Sequence, residues 1–304
     1  MELFRALAVF AETPDRAGVG RVAEALGLGP RPEASAYTDL FVFQLYPYAS
    51  VYLGDEGMLG GEARDRIAGF LKALGQEEPP REPDHLATLL GAYAALCASE
   101  ESVVDARVRE HFRGARRALL WEHLLSWLPV YLDKLERVAP PFYRAWAGLL
   151  REALDSEAAS LGTQDALPLH LREARDVADP RESSSDEFLR TLLAPARSGL
   201  ILVREDIVRA ARDLQTGARA GERTFALRSL MGQDASATLD WLATEGDAWE
   251  SLHTRRRETH GRVAEWWAAR ACATAKLLRE LRDAAADDAL KSVTLDESEE
   301  KAHS

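Results

Sequence analysis

The sequence predicts an all-α protein, and three observations carry that prediction. Apolar residues recur at helical spacing through most of the 304 residues. No run alternates β-branched residues as a half-buried strand does. Proline and glycine cluster mainly between the periodic segments. The architecture expected is a multi-helix domain followed by a smaller helical extension.

Taken in order, a short first helix covers about Met1 to Ala11 and closes at Thr13-Pro14-Asp15. A second runs through Val22–Leu28, ended by Gly27, Gly29 and Pro30. A third starts near Ser35, a side chain suited to an N-cap, and reaches Leu45. Tyr46 to Gly61 reads as an ordered loop, rich in aromatics and glycine. Helices resume at Glu62–Leu74, at Asp84–Ala98 and from about Val103 to Glu136. In the last of these, Leu120, Leu124, Trp127, Tyr131 and Leu135 share one face. Pro129 should kink or split it, since it lacks the N–H that would bond the Leu125 carbonyl. Pro141 to Leu161 is a further helix.

From Gly162 to Asp186 the composition shifts to Pro168, Pro180 and the Ser183–Ser185 run, which marks a connector with a helical turn near Leu169–Arg175. Shorter helices follow from Phe188 to Leu252, then a long one over Glu258–Arg282. The last residues are polar, acidic and free of aromatics, as in a disordered tail. The expected organisation is therefore a domain over 1–161, a connector over 162–186, an extension over 187–283 and a tail over 284–304.

Composition narrows the function. The formal net charge is -12 and the sequence pI near 5.2, whereas nonspecific nucleic-acid binding needs clustered Lys and Arg. Two distant cysteines, Cys97 and Cys272, form no disulfide framework or zinc pair and read as buried thiols in a reducing compartment. The N-terminus lacks the basic and uninterrupted apolar stretches of an export signal, and no run approaches the ~18 apolar residues of a membrane span. A cytoplasmic protein is expected. Glu56–Gly61 lacks the Gly-Lys-Ser/Thr of a P-loop, and consecutive arginines at Arg255–Arg257 precede no apolar run. No cofactor or metal fingerprint is present.

Four stretches, in order, carry a resemblance. They are Tyr37, Leu40-Phe41 and Tyr48-x-Ser50-Val51-Tyr52-Leu53; then Glu56-Gly57-Met58-Leu59-Gly60-Gly61; then Glu82-Pro83-Asp84-His85-Leu86; and Glu122-His123-Leu124-x-x-Trp127-Leu128-Pro129 followed by Pro141-Phe142-Tyr143. Together they resemble the TorD-like family of redox-enzyme maturation chaperones (TorD, DmsD and NarJ type). The family pattern Glu-Pro-x-Asp-His is one residue longer than the run here, so only Asp84-His85 aligns cleanly. The resemblance implies an all-α chaperone, not an enzyme. Its partners would be the twin-arginine signal peptide and the catalytic subunit of a molybdopterin-containing oxidoreductase, held before export while the cofactor is inserted. A variant of this reading is an assembly factor for a redox subunit that is not exported.

A leader peptide presents two arginines and an apolar stretch, so its receptor needs acidic and apolar groups together. The residues of that kind are Asp84, Glu82, His85, Tyr46, Tyr48, Tyr52, His123 and Trp127. Each has a structural alternative. Asp84 suits the N-cap of its own helix, His85 the first turn of that helix, and His123, Trp127 and the tyrosines the core. An enzyme using Asp84 and His85 as an acid–base pair is a further reading, without any accompanying nucleophile or metal set.

Overall fold

A computed structural model describes residues 2–75, 78, 80–217 and 221–302, the stretch 286–302 by its backbone alone. Among the described residues there is no strand; the one β feature is an isolated antiparallel bridge between Tyr48 and His85. Among the described residues no helix is long and apolar enough to cross a membrane.

The first helix, α1 (Glu2–Ala8), tightens into a 3₁₀ turn at Val9–Ala11, and α2 (Val19–Ala25) starts at Gly18, whose φ of 93° is left-handed. That start is three residues earlier than the periodicity suggests. Helix α3 (Ala34–Tyr37) is preceded by Glu33 at its N-cap, so Ser35 already lies inside the helix. It opens into a π turn at Thr38–Val42, where the Leu45 N–H reaches back five residues to the Leu40 carbonyl at 2.7 Å. The stretch expected as loop holds a short helix, α4 (Ala49–Leu53), and α5 (Gly61–Ala73) follows.

Helix α6 (Leu86–Ser102) is central. Leu86, Leu89, Leu90, Tyr93 and Ala94 are all buried, and α1 and α7 pack on it. Helix α7 (Ala106–Ala118) lies outside, capped by the Asp105 carboxylate, which accepts from the Arg107 and Val108 N–H groups at 2.8 and 3.1 Å. The helix expected over Val103–Glu136 is in fact divided. A π turn at Leu119–Leu124 follows α7, and α8 (Leu128–Val138) begins anew with Pro129 in its first turn. There the missing N–H costs nothing, because first-turn N–H groups have no intrahelical partner. Helix α9 (Pro141–Leu161) has the expected bounds, and its Trp146 Nε1–H donates to the Leu7 carbonyl of α1 at 3.0 Å.

The second half comprises α10 (Leu169–Glu173), α11 (Ser185–Leu192), α12 (Pro195–Ser198), α13 (Arg204–Asp213), α14 (Arg223–Gln233), α15 (Ala235–Thr254) and α16 (Arg257–Ala302). Helices α15 and α16 form a long hairpin, close enough at Gly246 that a β-carbon there would lie 2.8 Å from Ala275 Cβ. Gly261, with φ 50° and ψ -127°, breaks α16 near its start. The side chains of the tail expected over 284–304 lie, beyond Ala285, outside the described residues.

The two halves share one hydrophobic core. Across their junction Lys134 of α8 pairs with Asp206 of α13 at 2.5 Å, with 1% and 5% of the two side chains exposed. Nearby, Asp133 accepts from Arg151 at 3.0 Å and from Arg256, and the Arg137 guanidinium lies over the Trp249 ring at 4.9 Å. The Trp267 Nε1–H donates to the Ser126 carbonyl at 3.0 Å. Cys97 is buried as expected, but Cys272 is exposed on α16.

Candidate functional site

The site is built where the starts of α4 and α6 meet. The Ala49 N–H donates to the Asp84 carbonyl at 2.9 Å and the Leu86 N–H to the Pro47 carbonyl at 2.8 Å, which pins Tyr48 beside His85. The Asp84 carboxylate, 2% exposed, accepts from the Ser50 N–H at 3.2 Å. It therefore caps the first turn of α4, not its own helix. The cap of α6 is His85, whose Nδ1 accepts from the Ala87 N–H at 3.2 Å. This corrects the N-cap expected at Asp84; the chain is extended at His85, so the first helical residue falls one position later. Ser50 passes the connection on, its Oγ accepting from the Gly60 N–H at 3.1 Å. Asp84, Ser50 and Gly60 thus tie three of the sequence stretches into one scaffold.

An Nδ1 that accepts must be unprotonated, which assigns His85 as the neutral Nε2–H tautomer. Burial is the main cause that pushes its pKa below the ordinary value, overriding the nearby charges of Glu82, Glu12 and Asp84. Protonation would turn the capping acceptor into a donor facing another donor.

Over this scaffold lies a small polar aromatic surface. Tyr48 meets the His85 ring edge-on at 4.7 Å between centroids. Its phenol is pushed up to about 12, by partial burial first and then by the charge and hydrogen bond of Glu82. Tyr37 is shifted in the same direction by burial, Glu12 and Glu82. Glu82 is exposed, and among the described residues no Lys, Arg or His nitrogen lies within 4.0 Å of its carboxylate. Two phenols, a neutral imidazole and an unpaired carboxylate converge here, a set suited to holding a cation by charge, by hydrogen bonding and by ring faces.

The other expected site residues lie elsewhere. Tyr52 and Trp127 are core: their rings stack at 5.2 Å with 9° between planes, and the Tyr52 hydroxyl donates to the Tyr46 carbonyl at 2.9 Å. His123 is also buried, against Phe70 at 4.6 Å and His170 at 6.0 Å. Burial and the second histidine push it down to about 3. Among the described residues its Nδ1 has no hydrogen-bond partner. Tyr46 is exposed. The expected site residues thus divide into a surface group (Tyr48, Glu82, His85), a supporting acid (Asp84), an exposed tyrosine apart from them (Tyr46) and three packing residues (Tyr52, His123, Trp127). Glu12 had no sequence signal; it joins the surface only because α1 folds back beside α6.

Two cavities flank the glycine-rich loop. One of about 370 Å³ is lined by Leu53, Leu59, Arg66 and His170; another of about 340 Å³ by Arg190, Arg197 and Arg223. Both touch Met58, Asp55 and Arg175, the last two paired at 2.7 Å. The extension seats this loop. Gly57 has φ 61°, and a β-carbon there would come 2.9 Å from Ala194 Cα. Among the described residues no group of three or more His, Cys, Asp or Glu side chains is placed to hold a metal.

Residues 14–133 match the family described as nitrate reductase delta subunit. The selenate reductase assembly chaperone protein of Thauera selenatis is 35% identical over 113 residues, which cover 37% of this chain and 57% of that protein. The chaperone protein TorD of Shewanella amazonensis is 35% identical over 142 residues, covering 36% and 55%. The chlorate reductase assembly chaperone protein of Ideonella dechloratans is 38% identical over 93 residues, covering 30% and 47%. The chain spans about half the length of these relatives.

Proposed function

We propose that this chain, whose residues 14–133 belong to the nitrate reductase delta subunit family and make it TorD-like, is a maturation chaperone for a molybdopterin-containing oxidoreductase. In this reading it binds the client's twin-arginine leader, its folded body or both in the cytoplasm while the cofactor is inserted. The observation that carries it is the surface of Tyr37, Tyr48, His85 and Glu82, which lies around the Asp84-His85 pair within and beside the family stretches. Relatives named as assembly chaperones for selenate and chlorate reductases support the client class.

The chemistry fits a guanidinium. Glu82 offers a carboxylate with open lone pairs, and a carboxylate meets arginine in a forked pair of charge-assisted hydrogen bonds. The rings of Tyr48 and Tyr37 offer cation–π faces beside it. An acid–base enzyme is the weaker reading, because the Asp84 carboxylate is buried on a backbone N–H and the His85 Nδ1 is occupied as a cap. The alternative is an assembly factor for a redox subunit that is not exported.

Calorimetry of the full chain against a twin-arginine leader peptide tests the reading. Glu82→Gln should weaken binding about tenfold, the loss of one charged hydrogen bond at about 1.5 kcal/mol, and a leader with both arginines replaced by glutamine should bind no better to the native chain than to the variant. Native protein that ignores every leader yet captures a mature reductase subunit selects the assembly-factor variant. Failure of both removes the chaperone reading.

A further inference from the structure

We propose that the arginine stripe of α7 is a docking surface for a short acidic segment of a partner protein. Arg109, Arg113 and Arg117 stand four residues apart and so share one side of the helix. All three are exposed, as is Arg107. Each of the three donates to a main-chain carbonyl: Arg109 to Val103 at 2.9 Å, Arg113 to Ser160 at 3.5 Å and Arg117 to Thr163 at 2.5 Å. These acceptors hold the guanidinium groups in place without cancelling their charge. A guanidinium has five N–H donors, so each retains donors for a ligand.

The neighbouring acids are committed elsewhere or stand alone. Glu100 and Glu157 engage Arg116 at 3.0 and 3.7 Å, and the Asp105 carboxylate caps the helix. Glu110 is the one acid on α7, and among the described residues it forms no ion pair. The stripe is thus a local excess of positive charge on a chain whose net charge is -12.

That contrast selects the partner. An extended polyanion, such as a lipid surface or a nucleic acid, meets the field of the whole acidic molecule. A short segment seated on the stripe feels only charges within a screening length of about 8–10 Å. The three arginines span about 12 Å along the helix, which matches carboxylates at one-turn spacing on a partner helix. Val104, 91% exposed, and Val108 add an apolar contact at the N-terminal end. The surface is independent of the leader site, since a cationic leader would be repelled by it.

The test is fluorescence anisotropy of the full chain with a labelled helical peptide of about 12 residues carrying glutamate at i, i+4 and i+8. Saturable binding that weakens steeply with salt is expected. The Arg109→Gln/Arg113→Gln/Arg117→Gln variant should lose at least about tenfold in affinity. If that variant loses its helical circular dichroism, the corresponding triple lysine variant replaces it and should show an intermediate loss, because charge remains while the forked geometry is gone. Absence of binding to the native chain, or equal affinity for the variants, overturns the proposal. So does tighter binding to phosphatidylserine vesicles or to a short single-stranded RNA. Salt-sensitive self-association that disappears in the glutamine variant also overturns it, by making a second copy the occupant.

Discussion

Removing the Asp84 carboxylate leaves the Ser50 N–H without its acceptor in a buried site, and the cost of such an orphaned donor is about 1–3 kcal/mol. Asp84→Ala should lower the urea midpoint accordingly. Asp84→Asn, which keeps an oxygen acceptor, should recover most of the loss. If the alanine variant is as stable as the native chain, the carboxylate does not cap α4 in solution. The type of role was legible in the sequence: an acid after proline and before an apolar run is a capping residue. Its object was not. The helix it caps lies 34 residues earlier, and no local pattern announces a bond made across that separation. Tyr52 and Tyr48 illustrate the same limit. They sit four residues apart in one motif, yet one stacks in the core and the other borders solvent beside Glu82, because the chain is extended at Tyr48 and α4 begins only after it.

Helix periodicity located the elements well where they are long and uninterrupted, as with α9, and less well where the helix itself changes pitch. The π turns at Thr38–Val42 and Leu119–Leu124 each insert a wider turn without glycine or proline to mark it. An apolar face read at 3.6 residues per turn therefore runs straight through them on paper. Pro129 does mark a break, and its place in the first turn of α8 has a measurable consequence. Pro129→Ala should change the unfolding free energy by less than about 1 kcal/mol. A proline in a helix interior would give a gain of about 3 kcal/mol on the same substitution. A gain of that size in urea titrations would mean that the chain runs on as one helix.

At the scale of the molecule, the connector and extension looked separable by composition, yet their helices enter the same core as the first half. The contacts that join them are pairs such as Lys134 with Asp206 and Trp267 with Ser126, which have no signature in either local sequence. Lys134→Met should cost about 3–5 kcal/mol, because it leaves Asp206 buried with one positive partner fewer. Adding Asp206→Asn should restore part of this, the asparagine oxygen still accepting from the Val203 N–H now bonded at 2.8 Å. A loss below about 1 kcal/mol in the single variant would show that the extension does not stay seated.

The Lys134–Asp206 pair also bears on how the protein is made. The lysine leaves the ribosome roughly seventy residues ahead of its acid, which at about 5–20 residues per second is an interval of several seconds. Through that interval the first half carries an ammonium group on a face meant for the interior, with the apolar surface around it uncovered. Its α8 face can close only when α13 arrives. Until then the emerging chain presents apolar surface of the kind that general folding helpers hold.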